Sequence, residues 1–337
     1  MQKNQTLMKQ LQHKCLTNYF KMIKKLFFIA LSVAAFSNCG PNKDELREKA
    51  KTDVSKAKDI LTQAENTGKI STDTSANKQY EAAIQVFTDA IVKNEKAADA
   101  YAMRGWAKFR LKQMDAALLD FDKSLSIDKT VVIAHTGKGN IHEANGNLAE
   151  ALNDYTNALA ITPKDANTNN SIGSLKRKMG KLDEAVLSYN QAIELNAQEP
   201  LFFFNRANAF VDLKKYDVAQ KDYETAVRLR PQYAVAFAGK ANINYQKGQY
   251  KAAIEDYNKA IELQPDNSDA WRNRGYNKLK INQLEDALAD LNKALTIKNE
   301  DKLAYLFRSE VYAKMNRKIE ANADAERAKM MGIGVGQ

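Results

Sequence analysis

The chain is poor in the residues that build reactive centres. Its 337 residues include 2 cysteines and 3 histidines. Cys15 and Cys39 both precede the main body, so the body carries no thiol after position 39. That excludes an internal disulfide, a zinc–thiolate cluster and a cysteine nucleophile in it, and suits an oxidising compartment. His135 and His142 are the only histidines beyond the N-terminal segment. No third or fourth ligand is patterned beside them, so their expected role is packing and not metal binding. No G-x-G-x-x-G or P-loop run exists to cradle phosphate. The carboxylates recur at i, i+4 from Lys and Arg, as solvated helix faces do. No nucleophile–base pair emerges. The expectation is a chain without catalytic residues, cofactor or metal.

Long apolar runs are also lacking. The longest N-terminal one, Leu26 to Phe36 (LFFIALSVAAF), has 11 residues, against the roughly 20 a membrane-spanning helix needs. It follows Lys24 and Lys25 and precedes Ser37, Asn38 and Cys39, in the order of an export signal. This order resembles a bacterial lipoprotein signal, whose cysteine is lipidated and becomes the new N-terminus. Phe36 and Asn38 depart from the usual residues before that cysteine. The resemblance implies a signal peptide over 1–38, with 1–21 an over-long start if Met22 initiates. A lipidated Cys39 and a tether over 39–45 would follow. Lys43, Asp44 and Glu45 fit the acidic first turn of a helix. The formal charge of +10 includes six lysines before Cys39 and no acid there; without them +4 remains. That balance gives no case for nucleic acid.

What the chain does have is repetition. Gly105, Gly139, Gly173, Ala207, Ala241, Gly275 and Ser309 recur at one constant interval. So do Ala83, Ala117, Ala151, Ala185, Ala219, Ala253, Ala287 and Ala321, and the large residues Phe87, Phe121, Tyr155, Tyr189, Tyr223, Tyr257 and Leu291. The interval and the residue types resemble the tetratricopeptide repeat (TPR), whose unit of about 34 residues reads W-x2-L-G-x2-Y, A-x3-F, A and P. Trp271, Gly275, Ala287, Leu291 and Ala294 nearly spell it. The resemblance implies an all-α fold, a right-handed α-solenoid of stacked helix-turn-helix repeats. Seven units are expected over 98–331, from Ala98, Val132, Ala166, Pro200, Ala234, Ser268 and Lys302. A helix from Asp44 to about Glu65, a loop over Asn66 to Asn77 and a degenerate first repeat should fill 46–97. A flexible tail closes the chain at 332–337.

In such repeats the first helices line a concave groove that holds extended peptides or partner helices. Carried onto this chain, the groove positions include Ala102, Trp106 and Phe109, then Asn140, Asn170, Phe204, Asn208, Asn242, Tyr245, Arg272, Tyr276 and Leu279. Asn205 and Asn273 share the position three before Asn208 and Tyr276. Asparagine carries donor and acceptor, so a row of it could pair with a peptide backbone of any sequence. The aromatics Trp106, Phe109, Phe204, Tyr245 and Tyr276 could anchor a partner. Arg177 and Arg272 are too scattered for a clamp on an acidic tail. The expected function is a non-enzymatic scaffold in a bacterial envelope, lipid-anchored at the outer membrane on either face. It would hold protein partners for envelope assembly or secretion, with self-association through the array's ends left open. The alternatives are a cytosolic or inner-membrane adaptor, if Cys39 is unmodified, and an enzyme's accessory subunit.

Overall fold

The computed structural model describes residues 42–70 and 74–332. The signal segment 1–38, Cys39 and the tail from 333 onward lie outside the described residues. Among those described, sixteen helices and no strand occur. Helix α1 is Lys43–Ile70 and α2 is Thr74–Lys93. Seven hairpins follow: α3 (Ala98–Arg110) with α4 (Met114–Ile127), α5 (Val132–Ala144) with α6 (Leu148–Ile161), α7 (Ala166–Lys178) with α8 (Leu182–Leu195), α9 (Pro200–Asp212) with α10 (Tyr216–Leu229), α11 (Ala234–Gln246) with α12 (Tyr250–Leu263), α13 (Ser268–Lys280) with α14 (Leu284–Ile297), and α15 (Lys302–Lys314) with α16 (Lys318–Met330). The chain divides into two compact units, 1–107 and 108–337. None of these helices is long and apolar enough to cross a membrane.

In the first unit, α1 buries Ala50, Ala57, Leu61 and Ala64 as one stripe, and α2 buries Ala76, Tyr80, Ala83, Phe87 and Ala90. Both follow the helical period. The loop expected over Asn66 to Asn77 is therefore corrected. Helix continues to Ile70 and resumes at Thr74. The buried stripe of α2 begins at Ala76, so its polar first turn is helical because the face it shares with Tyr80 is packed.

In the second unit each first helix ends in one left-handed residue. These are Lys112, Gly146, Gly180, Lys214, Gly248, Asn282 and Asn316, all in one register of the repeat. At the α5–α6 turn the Asn147 amide donates to His142 O at 2.8 Å and the Gly146 amide to Glu143 O at 3.1 Å. This closure satisfies carbonyls that the helix end would leave open. At Gly139, Gly173 and Gly275 the first helix then meets the large residue of its own second helix. A Cβ on Gly139 would lie 2.6 Å from the Tyr155 ring, and one on Gly173 2.7 Å from the Tyr189 ring. A second glycine set makes the contact between repeats: a Cβ on Gly239 would lie 2.6 Å from Tyr223 of the preceding hairpin.

The carboxylates are not all on solvated faces, contrary to expectation. Asp120, Asp154, Asp222, Asp256, Asp290 and Asp324 are buried, each on a second helix and in the same register. Each meets a cation or imidazole on its own first helix. Lys108 reaches Asp120 at 2.7 Å and His142 reaches Asp154 at 2.7 Å. Arg206 takes Asp222 through two bonds of 2.8 and 2.7 Å. Lys240 takes Asp256, joined by Asn244. Arg274 and Lys278 share Asp290, and Arg308 takes Asp324. The arginines also reach back to the preceding second helix, at Asn190, Asn258 and Asn292, each 2.7 Å away. One guanidinium thus ties two second helices. One unit departs from the row. The 166–199 unit has Ile172 where Arg206 would stand, and there Ser188 takes the place of the acid and bonds to the Glu184 carbonyl of its own helix. Its Lys176, in the register of Lys108 and Lys278, reaches the Glu184 carboxylate instead, at 3.3 Å. Spacing along one helix missed this row because each cation stands on the other helix of the hairpin, outside the i, i+4 window.

Candidate functional site: the first-helix face

The predicted groove residues fall into three situations. The first is burial. Ala102 and Leu279 are buried and present nothing outward, and Asn170 is buried with its Oδ1 accepting from Asn205 Nδ2 at 3.0 Å. These positions are corrected from groove lining to packing between helices. In the first unit, Trp106 donates its indole N–H to Glu65 at 3.1 Å, on a carboxylate that Tyr80 also approaches at 3.4 Å. Phe109 is half-buried.

The second situation concerns the asparagine row. Tyr155 hydroxyl donates to Asn140 Oδ1 at 2.7 Å and lies 2.9 Å from Glu143. Tyr223 donates to Asn208 Oδ1 at 2.5 Å, and Tyr257 donates to Asn242 Oδ1. Tyr189 donates to Ser174 at the same register position. Burial pushes these phenols well above the ordinary tyrosine range, so each keeps its proton and donates it. Where the second helix carries Phe121 or Leu291 instead, the register residue is Trp106 or Tyr276. The asparagines are therefore matched first to a buried hydroxyl. The row offers more donors than acceptors. One lone pair of each oxygen is taken, while the side chains of Asn208 and Asn242 stay accessible and keep their amide N–H groups for a ligand. The Asn273 oxygen accepts from Arg272 Nε at 3.1 Å.

The third situation is a recess of about 450 Å³ where α9, α11 and α13 meet. Phe204, Val211, Val235 and Ala238 give it apolar walls, and Asn208, Asn242 and Asn273 line it too. Gly239 opens the wall because no side chain fits against Tyr223. Phe204 packs between Tyr223 and Tyr233, at ring separations of 5.8 and 5.3 Å. Beyond the recess Tyr245 meets Tyr276 at 5.7 Å, and Tyr276 stacks on Phe307 at 3.9 Å. These aromatics are half-buried, so they pack repeats together and still present an edge. Arg272 is not a free cation: Asp269 and Asp301 hold it at 2.6 and 2.8 Å. Arg177 is held by Asp212 at 2.6 Å.

Among the described residues no group of three or more His, Cys, Asp or Glu is placed to hold a metal ion. His142 serves Asp154, and His135 Nε2 lies 3.0 Å from the Lys129 carbonyl.

Sequence profiles of the tetratricopeptide repeat match residues 75–130, 132–165 and 202–233, and a further TPR profile matches 173–214 and 241–280. The chain carries tetratricopeptide repeats. No curated protein matches it. Among solved structures, PilF of Pseudomonas aeruginosa is 19% identical with a TM-score of 0.57, over 65% of this chain and 98% of that one. A tetratricopeptide repeat protein of Parabacteroides merdae is 20% identical with a TM-score of 0.56, over 71% and 94%. A chain of the APC/C hetero-tetramer Cut9–Hcn1 is 13% identical with a TM-score of 0.58, over 75% of this chain and 50% of its own length. At these identities the likeness shows the fold, a TPR solenoid, which is consistent with protein–protein interaction.

Proposed function

We propose that this protein is a non-enzymatic scaffold of the bacterial cell envelope, lipid-anchored through Cys39. Its first-helix face holds protein partners for assembly or secretion. The observation that carries the binding part is the recess between α9, α11 and α13, with apolar walls and accessible amide donors. Such a surface can desolvate a partner's side chain while pairing its polar backbone. The Cut9–Hcn1 structure is itself an assembly of several chains, which supports the same use of the fold. The envelope part is supported by Lys24, Lys25, the apolar run to Phe36 and Cys39 in signal order. Asp44 and Glu45 pair with Arg47 and Lys49 in the first turns of α1.

Two measurements test this. The intact mass of the mature protein from its own host should show an acylated N-terminal Cys39, and Cys39→Ala should move the protein from the membrane to the soluble fraction. An unmodified N-terminus at Met1 or Met22 would favour a cytosolic or inner-membrane adaptor. A photo-crosslinking residue at Val235 should capture a polypeptide in the native host. Absence of any adduct would remove the scaffold reading.

A further inference from the structure

We infer that the recess binds an uncharged, proline-containing segment in the polyproline II conformation, held by its backbone carbonyls. The inference rests on the scaffold reading above and names the ligand class of that site.

The argument begins with hydrogen-bond capacity. An asparagine offers two N–H donors and a carbonyl oxygen with two lone pairs. At Asn208 and Asn242 one lone pair is taken by a buried tyrosine, so what remains for a ligand is two donors against one acceptor site. A β-strand brought alongside would present N–H groups as well as carbonyls, and this row has fewer acceptor sites than donors to meet them. An unpaired amide in a desolvated groove is costly. A proline residue has a carbonyl and no N–H, so it loses nothing there.

Spacing points the same way. Asn208 and Asn242 sit on successive first helices, and such packed neighbours lie about 8–10 Å apart. A polyproline II helix advances about 3.1 Å per residue with three residues per turn, so every third carbonyl returns to one side after about 9 Å. A strand alternates faces every residue. Its third carbonyl would point away from the second asparagine.

Charge and shape complete the case. Leu201, Phe204, Val211, Val235, Ala238 and Tyr245 flank the asparagines, and no charged residue of α9 or α11 shares their register. On the α13 side Asp269 and Arg272 line the recess as an ion pair that Asp301 completes, and beyond it Arg177 is held by Asp212. An acidic tail would find no free partner in this recess. Aromatic edges and apolar walls suit proline rings and one apolar side chain per turn.

Calorimetric titration of the purified mature protein with two synthetic peptides tests the inference. One is (Pro-Pro-Leu)4 and the other (Ser-Gly-Leu)4, both uncharged, with identical leucine spacing. The proline peptide should bind tighter by about 10-fold or more, because it is already ordered. Asn208→Asp with Asn242→Asp keeps an oxygen for each tyrosine but turns the free donors into acceptors. It should weaken the proline peptide by at least about 10-fold, the scale of one lost hydrogen bond. Asn242→Ser, which copies the Ser174–Tyr189 pairing, removes the amide donors without adding charge and should weaken binding in the same direction. Equal affinity for both peptides, or binding that ignores these variants in a folded protein, overturns the inference. If the Val235 crosslinker captures a host polypeptide while the proline peptide fails to bind, the scaffold reading stands and this ligand class falls. If neither occurs, both fall.

Discussion

Arg206→Ile should destabilise the repeat at 200–233 by about 3 kcal/mol. Asp222 is buried, and the Arg206 guanidinium is the cation that holds it. The equivalent of the second cation position, filled by Lys278 beside Asp290, is Phe210 here. Removing Arg206 leaves a carboxylate with no counter-charge in a low-dielectric site. Breaking such pairs costs about 3–5 kcal/mol; the lower end applies because the Arg206 side chain is 20% exposed and water reaches its edge. Asp222→Ser alone should cost less, about 2 kcal/mol, since the arginine keeps Asn190 and that exposed edge. The double variant should cost no more than about 2 kcal/mol, because Ile with Ser is the pair this chain already uses at 172 and 188. Urea titration with amide-exchange mass spectrometry over α9 and α10 reads each loss locally. Losses that simply add in the double variant would refute the coupling between acid and cation.

Gly139→Leu should destabilise its hairpin by about 1–3 kcal/mol through overpacking against Tyr155; a thermal melt checks it. Lys214 holds a φ of 58° where Gly146 and Gly180 serve other repeats. Lys214→Gly should therefore gain about 0.5 kcal/mol, the left-handed penalty less the entropy of glycine, seen as a higher urea midpoint. The buried phenols of Tyr155, Tyr223 and Tyr257 have folded pKa values raised above the unfolded one. Their contribution is whole below about pH 10 and is lost as pH rises beyond it. The melting temperature should fall steeply on the alkaline side, and less steeply for Tyr223→Phe.

The row of asparagines marks where one dimension stops. Their recurrence at Asn140, Asn208 and Asn242 is visible in the sequence, and so is a tyrosine at a fixed place on each following helix. That the two are hydrogen-bonded, and that this takes up part of the acceptor, depends on how the second helix crosses the first. The same holds for the buried aspartates, which by spacing along their own helices look like surface charges. Their cations come from the preceding helix of the same hairpin. The aromatics Phe204, Tyr245 and Tyr276 were legible as groove candidates. Their sharing between packing and surface was not, because it is set by rings on neighbouring repeats.

By itself the sequence determined the repeat period, the helix phases, the glycine at three of the left-handed turns and the small–large contact at Gly139, Gly173 and Gly275. All of these are local: they depend on separations within one repeat, where the helical period fixes which side chains meet. Tertiary structure decided which polar groups remain available. That depends on contacts between repeats, where Arg206, Arg274 and Arg308 each reach two second helices and where Gly239 gives way to Tyr223. A side chain's donors and acceptors belong to the surface only after the neighbouring helices have taken what their own buried groups require.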